Sequence, residues 1–122
     1  MSSHSNWHPF NATEVAKLKD DIKIVYWIRA ASPNGAATDT LYIGSTRRPK
    51  YRLNGLLKGL AISDPVLAAQ QHSAAPTLQP HASNGLEFSW QDTTGDPAIV
   101  EKGYLLTYCA DAGRLPVCNL KM

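Results

Sequence analysis

The sequence predicts an α+β domain: a small three-stranded antiparallel β-sheet flanked by helices. Three observations carry that prediction. IKIVYWIRA (22–30), rich in β-branched and aromatic residues, is followed after strong turn chemistry by TLYIGS (40–45). LEFSW (86–90) alternates cleanly and supplies a third strand. Between them Leu53, Leu56, Leu57 and Leu60 recur at helical spacing behind Pro49. A chain of 122 residues that is 43% hydrophobic and 18% charged fits one small core. It contains no internal repeat.

In chain order, residues 1–21 form an N-terminal helical extension, in which Asn11 or Thr13 caps a short helix to about Lys19. The domain proper spans 22–122. Ile22, Ile24, Tyr26 and Ile28 share one face of the first strand, with Val25 and Trp27 on the other. A strand apolar on both faces is central. SPNG marks the turn before the second strand, making an antiparallel hairpin with a long loop. That strand is expected to end at Gly44, where the backbone turns. In the helix that follows, Gly55 and Gly59 each cost about 1 kcal/mol relative to alanine, tolerable where a neighbour packs closely. Asp64 and Pro65 open a short helix to about His72, and SAAPTLQPHASNG reads as loop. Asp96 as N-cap and Pro97 at the first helical position open the last helix, which Gly113 stops after Ala112.

The net charge of +2 is too small to imply a polyanion partner, but its distribution is uneven. No acidic residue lies between Asp39 and Asp64, and Arg47, Arg48, Lys50, Arg52 and Lys58 all fall in that gap. Such a run is equally a solvated helix face. No stretch is long and apolar enough to span a bilayer, and MSSHSNWHPF lacks a signal-peptide core, so the expectation is a cytoplasmic protein with no membrane partner. Cys109 and Cys118 lack metal-ligand spacing and are expected to be reduced thiols. His72 and His81, without a partner at ligand spacing, read as solvated loop histidines. GSTRRPK lacks the spacing of a nucleotide-binding phosphate loop.

Glu101 is the unusual residue. On the last helix it neighbours Pro97, Ala98, Tyr104 and Leu105, an apolar surround that predicts a partly buried carboxylate. Such a charge requires a cation. The plain structural reading is an ion pair to Arg52, Arg29 or Lys50. The functional reading is a hard divalent metal held by one carboxylate and waters.

Val25-Tyr26 in KIVYWI, Tyr42-Ile43-Gly44 in LYIGST, Arg52 ten residues beyond Tyr42, Glu101 on the last helix and Asn119 in LPVCN occur in an order and spacing that resembles the GIY-YIG nuclease superfamily. The resemblance covers residues 22 to 120. YIG alone is a weak match; the ordered set is far more specific. Two positions depart from the pattern: Ile24 stands where the first motif has glycine, and Leu56 where many members carry a histidine one turn after the arginine. The loop between the tyrosines is also long for the family.

The resemblance implies a GIY-YIG endonuclease-like fold, one catalytic Mg²⁺ or Mn²⁺, and hydrolysis of DNA phosphodiesters. By position, Glu101 would hold the metal, Tyr26 and Tyr42 would flank the attacked phosphate with one of them activating or orienting the water, Arg52 would bind that phosphate, and Asn119 would brace the site against the substrate. Arg47, Arg48 and Lys50 would attract the DNA backbone. So small a fold leaves little room for base readout, which implies low sequence specificity. Cutting both strands would require a homodimer on DNA or two successive nicks. Two readings compete: a non-cleaving nucleic-acid-binding module that retains the fold, and a small RNA-binding protein with stacking aromatics, although Trp27 and Trp90 read as core.

Overall fold

Strand β2 (Lys23–Ala30) organises the protein, because it is apolar on both faces and buried along most of its length. In the computed structural model, which describes residues 6–32, 34 and 37–120, it pairs antiparallel on one side with β3 (Thr40–Thr46) and on the other with β4 (Leu86–Thr93). A two-residue strand β1 (His8–Pro9) joins the far edge of β4, giving the order β1-β4-β2-β3. The sheet thus has four strands rather than the expected three. The added one comes from the N-terminal segment, whose Phe10, Val15 and Leu18 are buried in the main core. Of the SPNG turn, Pro33 and Gly35 lie outside the described residues.

The two faces of β2 carry two cores. Ile24, Tyr26 and Ile28 pack with Phe88 and with helices α1 (Ala12–Val15), α2 (Pro49–Leu60), α3 (Pro65–Gln71) and α4 (Ala75–Leu78). Val25 and Trp27, with Ile43, pack against Leu105 of α5 (Pro97–Ala112), where the Trp27 ring meets Tyr104 edge-on at 4.9 Å. α5 has the expected ends: the Asp96 carboxylate accepts the Ala98 N–H at 3.0 Å, and Gly113 closes the helix at φ 75°. α1 is capped by Asn11 but runs only to Val15, because the chain tightens into i→i−3 bonds from Lys17 and Leu18. Helix α4 and the 3-10 turn Gln79–His81 stand where composition reads as loop. Ala74, Ala75 and Leu78 bury there against the α2 leucines, and that packing outweighs the prolines.

β3 does not end at Gly44; it continues to Thr46, with Gly44 paired to Tyr26. The glycine is needed for space. A Cβ there would lie 2.6 Å from the Tyr26 Cζ and hydroxyl and 2.7 Å from the Tyr42 ring, so its absence lets both tyrosines close over the strand. Gly59 has the same kind of role between helices, where a Cβ would lie 2.9 Å from the Ala68 carbonyl and 2.6 Å from Ala75 Cβ. Gly59→Ala should therefore reverse the usual helix-propensity gain and cost about 1–3 kcal/mol. Gly103→Ala, in an α5 position with nothing within 4 Å, should stabilise by about 0.5–1 kcal/mol. Urea unfolding of both variants checks the pair of opposite signs.

Candidate active site at the edge strand

The predicted residues gather around β3, the outer strand of the sheet, and draw on both of its faces. Tyr26 and Tyr42 lie on the α2 side with ring centroids 6.1 Å apart. On the α5 side Ser45 Oγ donates to Glu101 Oε1 at 2.5 Å. Asn119 grips the open edge: its Oδ1 accepts the Ile43 N–H and its Nδ2 donates to the Ile43 carbonyl, each at 2.9 Å. The carboxamide thus replaces a missing neighbouring strand between Tyr42 and Gly44, and both of its ends are engaged in bracing. Tyr42, Glu101 and Asn119 line one cleft of about 200 Å³.

Glu101 is half-buried, and among the described residues it has no ion pair. Arg29, one expected partner, is taken by Glu87 at 2.8 Å. Burial raises the Glu101 pKa above the ordinary value, against the opposing Ser45 hydrogen bond and the charge of Arg52. Arg52 likewise has no carboxylate within ion-pair distance among the described residues. Its charge acts on the Tyr26 hydroxyl, and it borders a second cleft, of about 330 Å³, with Tyr51, Asn54 and Gln71. Two half-buried charges of opposite sign therefore sense each other across the site without pairing.

The tyrosines differ. Tyr26 is 1% exposed, and burial first, then Tyr42, hold its pKa well above the usual value. Tyr42 is only partly buried; burial and then the Glu101 charge raise its pKa, while the charge of Arg52 opposes them. Neither is a ready base alone.

His72 is the residue the sequence reading misplaced. It is fully buried, its Nε2 lies 2.9 Å from the Tyr26 hydroxyl, and its Nδ1 accepts the Ala74 N–H at 3.0 Å. Burial, then Arg52, lower its pKa to about 3. The available signal was spacing: His72 follows the buried Ala68 by four residues and caps the C-terminus of α3, where its N–H still bonds the Ala68 carbonyl. His81 is exposed, as expected. Both cysteines are free thiols.

The basic residues stand at the start of α2, which has no acidic residue in its first turn and no side-chain cap. Arg47 makes a 3.5 Å exposed contact with Asp96, a pair of little energetic worth. Arg48 lies over the exposed Tyr51 ring at 4.4 Å. Lys50 is half-buried.

Among the described residues no group of three or more His, Cys, Asp or Glu forms a multidentate metal site. The donor set instead suits an ion held by one carboxylate and water: Glu101 has no ion pair among the described residues and lines a cleft, whereas both His72 nitrogens are occupied. No described helix is long and apolar enough to cross a membrane. Compared with known proteins, the chain matches no family model, no curated protein and no solved structure.

The Glu101 shift has a defined pH consequence. A carboxyl whose folded pKa is raised contributes stability that is complete below the ordinary glutamate range and lost as pH rises through the folded pKa. Glu101→Gln removes that loss while retaining an acceptor for Ser45. In metal-free buffer the variant should exceed the wild type in stability at neutral pH and converge with it in acid, as measured by urea unfolding across pH.

Proposed function

We propose that this protein is a divalent-metal-dependent DNA endonuclease of the GIY-YIG type, hydrolysing phosphodiester bonds with low sequence specificity. One observation carries the reading: Glu101 and Arg52 are half-buried, neither has an ion-pair partner among the described residues, and the charges of both act on the two tyrosine hydroxyls. A structural ion pair would have joined the two charges, because an unpaired charge out of water is costly. Left apart, they complement a ligand with both signs, a phosphate at the arginine and a cation at the carboxylate.

Phosphoryl transfer requires placement and charge neutralisation more than covalent chemistry. Arg52 binds and neutralises the attacked phosphate. Tyr42, whose ring borders the cleft, orients the attacking water, and Asn119 keeps its strand in place. Glu101 would hold Mg²⁺ or Mn²⁺, and the ion would supply Lewis acidity and a more acidic water. Arg47, Arg48 and Lys50 sit at the positive end of the α2 dipole, where added positive charge is unfavourable until an anion offsets it. DNA phosphates fit that requirement. A homodimer on DNA, or two nicks in turn, would cut both strands.

Incubation with supercoiled plasmid tests the activity directly. Nicking should require Mg²⁺ or Mn²⁺, stop with EDTA, and be abolished in a folded Glu101→Ala variant. Binding without nicking at any metal concentration would identify the non-cleaving module instead.

The basic residues divide by role. Arg47→Ala and Lys50→Ala should weaken DNA binding about equally for all sequences and flatten its salt dependence, whereas Arg52→Ala should lower turnover at saturating DNA more than affinity. Binding titrations at several salt concentrations, paired with single-turnover rates, make the comparison. Unchanged turnover in Arg52→Ala would reduce it to a binding contact.

A further inference from the structure

We infer that His72 is a positioning residue that fixes the proton of Tyr26, leaving Tyr42 as the hydroxyl that meets substrate. The role for Tyr42 rests on the proposed nuclease activity; the proton order stands on the two hydrogen bonds of the buried His72 ring.

The Ala74 N–H points at His72 Nδ1, 3.0 Å away, so that nitrogen carries a lone pair and no proton. The ring is fully buried beside a guanidinium and stays neutral, so its single proton is on Nε2. Nε2 lies 2.9 Å from the Tyr26 oxygen, and the imidazole is therefore the donor. A phenol oxygen offers two lone pairs and one proton. At Tyr26 one lone pair takes the His72 proton, so the hydroxyl's own proton points away from the imidazole. The neighbouring Tyr42 ring, 6.1 Å away between centroids, lines the cleft that it shares with Glu101, whereas Tyr26 is buried.

The chain of donors runs one way, from the Ala74 amide through His72 to Tyr26. His72 cannot serve as a base toward Tyr26, since its facing nitrogen is already protonated. It does prevent Tyr26 from turning its proton toward the imidazole, so that proton stays available beside the Tyr42 ring. The charged and titratable groups that face this chain are Tyr26 on β2, Tyr42 on β3, Arg52 on α2 and Glu101 on α5. The T-shaped contact between the His72 and Tyr42 rings, 5.8 Å between centroids, holds the imidazole plane against rotation.

Nitrogen-15 NMR of the histidine rings in the wild-type protein tests the proton order without any assay of activity. His72 should show a protonated Nε2 and a bare Nδ1, with no titration between about pH 5 and pH 8, where a free imidazole changes charge. An Nδ1-protonated ring, or titration near the free value, would overturn the inference. The kinetic test uses plasmid nicking. Tyr42→Phe should lower turnover on the order of 10²-fold or more, and Tyr26→Phe by less. His72→Gln retains an N–H donor and should preserve more turnover than His72→Leu, with KM for DNA unchanged in both. In a double-mutant cycle His72→Leu and Tyr26→Phe should be non-additive. Additive losses, or a Tyr26→Phe defect equal to that of Tyr42→Phe, would remove His72 and Tyr26 from the chain. Should the protein cleave no DNA, the nuclease reading fails while the NMR result still decides the proton order.

Discussion

The site depends on an edge strand that has been given a partner. β3 has β2 on one side and no strand on the other, and an open edge is free to twist, slip or pair with foreign chains. Asn119 closes it with two hydrogen bonds to Ile43, and the Cys118 N–H adds one to the Leu41 carbonyl at 2.8 Å. Fixing Ile43 fixes its neighbours: Tyr42 before it, Gly44 and Ser45 after it. Those residues present the cleft hydroxyl, the space for the Tyr26 ring, and the hydrogen bond to Glu101. The edge position also lets one site use both faces of the sheet, since helices α2 and α5 cover opposite sides and meet functionally only where the sheet stops.

Around that strand the energetics are unfavourable by design of the fold. A carboxylate and a guanidinium are both drawn out of water, and neither is neutralised by the other. Both tyrosine hydroxyls are made less acidic by burial, and the imidazole is held neutral. Most buried polar groups in proteins are matched internally, and here Tyr26 and His72 follow that rule completely. Glu101 takes a hydrogen bond from Ser45, but neither it nor Arg52 has an opposite charge in ion-pair contact among the described residues. That contrast is the physical basis of the proposed nuclease reading.

The cost of the site is carried by packing elsewhere. β2 is buried on both faces, α2 lies close against α3 because Gly59 has no side chain, and the N-terminal segment adds Phe10, Val15 and Leu18 to the main core. The prolines of the 75–81 segment are accommodated in the same way, as starts of short helical turns whose apolar residues cover the α2 leucines. A rigid frame of this kind allows a few polar groups to be held out of their preferred state.

The sequence by itself determined the elements with strong local codes. β2, α2 and α5 were legible because apolar period, helix-starting proline and the Gly113 stop are written within a few adjacent residues. The partial burial of Glu101 was legible for the same reason, from the residues three and four positions away on its helix. Tertiary structure alone decided what depended on distant partners. The β1 pairing of His8 and Pro9 with Phe88 and Glu87 joins segments about two thirds of the chain apart, and two residues carry no strand period to read. Gly44 looked like a turn because glycine permits one; only the register with Tyr26 shows that it was chosen for lack of volume. His72 looked solvated because a histidine in polar surroundings usually is, and its burial arises from Tyr26, forty-six residues away in sequence and 2.9 Å away in space. Local sequence encodes propensity and pattern, whereas the pairing or isolation of a charge is a property of the assembled fold.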